Sequence, residues 1–141
     1  MLVKQFITYL RNEGLKLRRL FSIVLVAAII LAACNSTELS ITEIHSVPTK
    51  VQERINTDYT SQLIHDIKKG DAYIIFQSTG IVTAQLEVRE NILTIILDSA
   101  SQENNALKQY VFKINRGNAE YDTINFLVNG KEIPFDNGTG F

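Results

Sequence analysis

Cysteine is almost absent: the chain of 141 residues has one, Cys34. No disulfide can close within the chain and no cysteine pair exists to build a zinc site, so stability has to come from packing. Histidine is nearly as scarce. His45 and His65 stand twenty positions apart, with no carboxylate spacing typical of a zinc centre. Tryptophan is missing altogether. No Gly-x-Gly-x-x-Gly or Gly-Lys-Ser/Thr loop is present, which removes the usual support for nucleotide binding. No Gly-x-Ser-x-Gly elbow or Ser-x-x-Lys motif accompanies the serines, which removes the usual support for a serine nucleophile. There is no basic excess either, since the formal net charge is -1, and this argues against a nucleic-acid partner.

A membrane-spanning run is lacking as well. The main apolar stretch, "LFSIVLVAAIILAA" between Arg19 and Cys34, has fourteen residues with only Ser22 polar. At about 1.5 Å of helix rise per residue it covers roughly 21 Å of a hydrocarbon layer about 30 Å thick. What is present is 45% hydrophobic and 21% charged residues, a balance suited to one globular domain and too apolar for disorder.

The small net charge conceals an asymmetry about Cys34. Residues 1–33 carry five cations (Lys4, Arg11, Lys16, Arg18, Arg19) against Glu13, a balance of +4; the remainder carries nine against fourteen, a balance of -5. A basic start, a short apolar run and small residues at its end have the form of a secretory signal peptide. The stretch "KLRRLFSIVLVAAIILAAC" further resembles the signal peptides of bacterial lipoproteins, with Leu31-Ala32-Ala33-Cys34 in the place of that family's lipobox. The resemblance implies a diacylglycerol (palmitate-type chains) on the Cys34 thiol and cleavage between Ala33 and Cys34. The mature chain would then be lipid-anchored on the extracytoplasmic face of the cell membrane. Two acyl chains, at about 0.8 kcal/mol per buried methylene, hold a protein far more firmly than one.

Three regions follow from this reading: a signal peptide over 1–33, which includes a signal helix, a lipidated N-terminus and flexible tether over 34–47, and an extracytoplasmic domain over 48–141. Within the domain, Pro48 reads as a helix start. Val51, Ile55, Tyr59, Leu63 and Ile67 recur at intervals of four, and Lys68-Lys69-Gly70 supplies a C-terminal stop. This spacing predicts an amphipathic helix over 49–69, although Ile55-Asn56-Thr57-Asp58 are poor helix formers. From Ala72 onward, six short segments rich in β-branched and aromatic residues are divided by turn formers. Asn129-Gly130 is the strongest hairpin signal among them. The expected fold class is therefore α+β, one helix packed on an antiparallel meander of about six strands. Pro134 places the last strand at an edge, and the tail after Phe135 is expected to fray.

Candidate chemistry is thin. Glu87, Glu90 and Asp98 carry carboxylates at strand ends near Arg89, where they read as solvated charges. Tyr59, Tyr110 and Tyr121 are the residues expected to put hydroxyls into a cleft between helix and sheet. No catalytic residue, cofactor or metal ligand is nominated. The domain is similar to small lipoproteins of Bacillus-like bacteria, which leaves a non-catalytic binding or accessory module for another envelope protein as the favoured function. The alternative is an envelope folding factor such as a peptidyl-prolyl isomerase, whose activity needs an apolar pocket and no nucleophile.

Overall fold

The computed structural model describes Val3, Lys4, Gly14, Lys16, residues 38–101 and residues 106–141. Apart from Val3, Lys4, Gly14 and Lys16, the expected signal peptide lies outside the described residues, as do the Leu31-Ala32-Ala33-Cys34 motif and the expected cleavage position between Ala33 and Cys34. No described helix is long and apolar enough to cross a membrane. The chain divides into two compact units, Met1–Ser36 and Thr37–Phe141, and every element below belongs to the second.

Among the described residues of this unit there are nine strands and one helical turn: β1 Ser40–Glu43, α1 Thr49–Gln52, β2 Ser61–His65, β3 Ala72–Ser78, β4 Ile81–Arg89, β5 Ile92–Ala100, β6 Lys108–Asn115, β7 Thr123–Val128, β8 Lys131–Glu132 and β9 Asn137–Gly140. They form a five-stranded sheet in the order β1-β6-β3-β2-β9 and a four-stranded sheet in the order β4-β5-β7-β8. Strand accounts for 52% of the described residues and helix for 8%, with no helix of seven residues. The α+β expectation is thus overturned: the domain is a sandwich of two sheets.

The expected helix over 49–69 does not form, and the cause is local. Helix α1 stops after Gln52, where Ile55-Asn56-Thr57-Asp58 offer little helix propensity. The Gln62 side chain turns the chain here, accepting from the Asn56 N–H at 3.0 Å and donating to the Asn56 C=O at 2.7 Å. Ser61 to His65 then pair antiparallel with Phe76 to Ala72 of β3. Leu63 and Ile64 are both buried, but in different clusters on opposite faces of the sheet. A strand between two apolar layers needs that pattern, and four-residue spacing alone does not separate it from a helix. Ile67, the last position of the supposed stripe, is 75% exposed.

The expected meander also fails, although its segments coincide closely with β3 to β8. Chain-consecutive neighbours pair only at β2-β3, β4-β5 and β7-β8. Strands β3 and β4 belong to different sheets, and the chain passes between them at Gly80. A Cβ on Gly80 would lie 2.3 Å from the Ala100 carbonyl oxygen, so only glycine fits the crossing. Strand β6 likewise lies in the opposite sheet from β5 and β7, which leaves β5 and β7 side by side and parallel. The Asn129-Gly130 turn closes β7-β8 with φ of 51° and 76°, as a type I′ turn requires.

Both ends of the domain are tied into the first sheet. Strand β1 lies inside the expected tether and pairs with Asn115 to Phe112 of β6, so only residues 35–39 separate Cys34 from the sheet. Strand β9 lies in the supposedly frayed tail and pairs parallel with β2.

The main core fills the space between the sheets, with Ile74, Phe76, Phe112 and Ile114 from one side and Leu93, Ile95, Leu97 and Phe126 from the other. Each such side chain contributes about 1.5–3 kcal/mol on burial. A smaller core covers the outer face of the five-stranded sheet, where Ile64, Tyr73, Ile75 and Val111 meet Val51 of α1 and the flanking Ile44, Val47 and Ile55. This is why β2 and β3 are apolar on both faces. No buried side-chain nitrogen or oxygen among the described residues lacks a partner.

Candidate functional site

The three tyrosines nominated from the sequence do not share a cleft. Tyr110 is buried in the main core, stacked on Phe112 at 6.1 Å, and its hydroxyl donates to the Gly80 carbonyl at 2.8 Å. Tyr121 follows the opposite end of β6 and carries the Arg116 guanidinium over its ring at 4.6 Å. Burial pushes the Tyr121 phenol above its ordinary pKa, against the pull of Arg116. Tyr59 is half-buried in the loop before β2, where its carbonyl accepts from Gln77 Nε2 at 3.0 Å.

The carboxylates are dispersed too. Glu87 is opposite Thr94 and Asp98 is opposite Thr83, so the two lie four residues apart along adjacent strands, roughly 13 Å. Glu87 accepts from Arg89 Nε in an exposed pair. His45 is exposed, 3.9 Å from Glu43. His65 ends β2 half-buried, and desolvation holds its pKa below the ordinary 6.5. No group of three or more metal-binding side chains occurs among the described residues.

A groove lies at the side of the sandwich, where the chain leaves β8 for the other sheet. It has a volume of about 430 Å³ and is lined by Ile124, Asn125, Phe126, Glu132, Ile133, Pro134 and Phe135. Its origin is local. Strand β8 pairs with β7 only at Leu127 and Val128, and one further bond, from the Ile133 N–H to the Phe126 C=O at 2.9 Å, ends the ladder. Pro134 has no N–H to offer, so pairing stops there. Asp136 then draws the chain across to the five-stranded sheet. Its Oδ2 accepts from the N–H groups of Thr60 and Ser61, both at 2.9 Å, and its own N–H donates to the Ser61 carbonyl at 3.1 Å. Phe135 is left stacked on Phe126 at 4.2 Å and 12°, a contact worth about 0.5–1.5 kcal/mol beyond its burial.

Peeling β8 away leaves the first half of β7 as an open edge. In an extended strand the N–H and C=O of one residue point to the same side, and alternate residues share that side. Because the Phe126 carbonyl faces β8, the backbone groups of Ile124 face the same way. The Ile124 N–H and C=O and the Phe126 N–H have no partner among the described residues. The groove thus couples a short row of backbone donors and acceptors to an apolar wall of Ile124, Ile133 and Phe135, with Glu132 on the rim. It holds no nucleophile and no paired acid and base, and its chemistry is suited to binding. Reading the sequence missed this groove; its one signal was Pro134 two residues after a short strand, which marked an edge without locating the crossover. Comparison with known proteins finds no matching family model, no matching curated protein and no matching solved structure.

Proposed function

We propose that the chain is a lipid-anchored, extracytoplasmic binding module of the cell envelope that holds an extended segment of a partner protein along the open edge of β7. The anchor is supported by the Leu31-Ala32-Ala33-Cys34 motif and the basic, apolar leader before it. The binding role is carried by one observation, the Ile124 N–H and C=O and the Phe126 N–H left unpaired among the described residues beside an apolar groove. An extended peptide satisfies both features together, its main chain pairing with β7 and its alternate side chains entering the groove.

A photo-crosslinking amino acid at Glu132, an exposed rim position, identifies the segment in intact cells. Amide hydrogen exchange on the purified complex then tests the pairing. The Ile124 and Phe126 amides are expected to exchange quickly in the free protein and to become protected in the complex. A captured partner that leaves both amides exchanging at their free rates refutes strand addition at this edge.

A further inference from the structure

We infer that one end of the five-stranded sheet, built on the Asp66–Gly70 turn, is a docking surface for anionic lipid headgroups; this rests on the lipid anchor at Cys34 proposed above. Strand β1 enters at this end, because Ser40 pairs with Asn115, the last residue of β6. Six residues lead from Cys34 to Ser40, which even fully extended span only about 20 Å. Moving across the sheet at the same level come Asn115, then Ala72 beside Ile114, then His65 opposite Ala72, and Gly140 beside His65. His65 is thus three strand spacings from β1, about 14 Å. A tether this short keeps the turn after His65 within reach of the bilayer.

The turn is shaped for that neighbour. Asp66 Oδ1 accepts from the N–H groups of Lys68 and Lys69, both at 3.1 Å, and Gly70, with φ of 76°, closes the turn by donating to the Asp66 carbonyl at 2.8 Å. The Ile67 N–H is held by the Phe141 carbonyl at 3.0 Å. Ile67 is therefore presented on a tied backbone, and at 75% it is the most exposed large apolar side chain of this domain among the described residues. Lys68 also lines a cavity of about 220 Å³ with Lys50, Arg54, Glu53, Asp66 and Phe141. Together with Lys69 that makes four cations against two anions, in a domain whose balance is -5. Of the other acids at this end, Asp71 is paired with Lys113 at 3.1 Å, Glu120 and Asp122 belong to the β6–β7 connection, and Glu38 lies two residues before Ser40. An exposed isoleucine followed by two lysines, within reach of a membrane, enters the interface while the lysines meet phosphate.

The test uses the lipoprotein isolated from membranes and reconstituted into vesicles, with Ile67→Cys carrying an environment-sensitive dye. Leu107→Cys is the control: Leu107 is also exposed, at 66%, and precedes the opposite end of β6. Cys34 is the only native cysteine, so mass spectrometry reads the anchor independently. One dye per chain means the Cys34 sulfur is blocked; two mean that it is free and that both the anchor and this inference fall. With one dye, the Ile67→Cys label should shift to the blue in phosphatidylglycerol vesicles, and much less in phosphatidylcholine ones, while the Leu107→Cys label stays in water. Replacing Lys68 and Lys69 by Gln should lower the docked-to-undocked ratio roughly twenty-five-fold, from about 1 kcal/mol for each lysine at an anionic surface. One dye with no shift at position 67, or equal shifts at 67 and 107, overturns the docking surface and leaves the anchor standing.

Discussion

The groove beside β7 exists because Asp136 pulls the chain away from that strand, so Asp136→Ala is the most informative single change in the fold. Two backbone donors lose their acceptor, the Thr60 and Ser61 N–H groups that now meet Asp136 Oδ2 at 2.9 Å. Their weights differ. Thr60 is exposed and water replaces the lost bond, whereas Ser61 is only 2% exposed and its N–H is left with little access to solvent. A hydrogen bond to a charged group contributes about 1.5–3 kcal/mol, and an orphaned buried donor costs about 1–3 kcal/mol. Discounting the Thr60 side for solvent gives a loss of about 2 kcal/mol. For a domain near a hundred residues that is roughly 8 °C in Tm. Asp136→Asn keeps one acceptor without the charge and should lose about half as much. Calorimetry of the three proteins measures the series, and hydrogen exchange should rise first in residues 133–141, whose crossover has lost its clamp. An Ala variant within about 0.5 kcal/mol of the parent would refute the argument, because a shift that small is ordinary for a surface substitution without structural consequence.

Three further outcomes are expected. Gly80→Ala puts a methyl 2.3 Å from the Ala100 carbonyl oxygen and should cost about 2–3 kcal/mol in chemical denaturation; a neutral variant would show that the crossing between sheets relaxes freely. Glu90→Gly relieves a non-glycine residue at φ 53° in the β4–β5 turn and should raise stability by up to about 1 kcal/mol, which a lowered denaturation midpoint would contradict. For His65, burial lowers the folded-state pKa below 6.5. The unfolded chain therefore binds the proton more readily, and the contribution of His65 to stability falls as pH drops below about 6.5. His65→Gln should flatten that acid limb, and an NMR titration should find the His65 midpoint below 6.5. A His65 midpoint at or above 6.5 would reject the burial argument.

Where the strands lie was legible in the chain; how they associate was not. The periodicity and turn residues that mark β3 to β8 are properties of neighbouring positions: Val82, Ala84 and Leu86 alternate with polar residues because one face of β4 is wet, and Asn129-Gly130 tolerates positive φ in any context. Short range also explains the errors. Ser61 to His65 is a strand because β3, β9 and two apolar layers surround it, and none of those partners is adjacent in sequence. Ser40–Glu43 and Asn137–Gly140 have weak strand character and are ordered by the β6 and β2 edges they meet. The groove is further removed from the sequence, since it needs Pro134 to end one ladder and Asp136 to reach a loop some seventy-five positions earlier. The sequence by itself determined the charged and apolar leader, the single thiol and the local strand pattern, because these depend on side-chain chemistry and on contacts a few residues long. Only the tertiary structure decided the division into two sheets, the open β7 edge and the end at which the chain enters, because each depends on which distant backbone groups find one another.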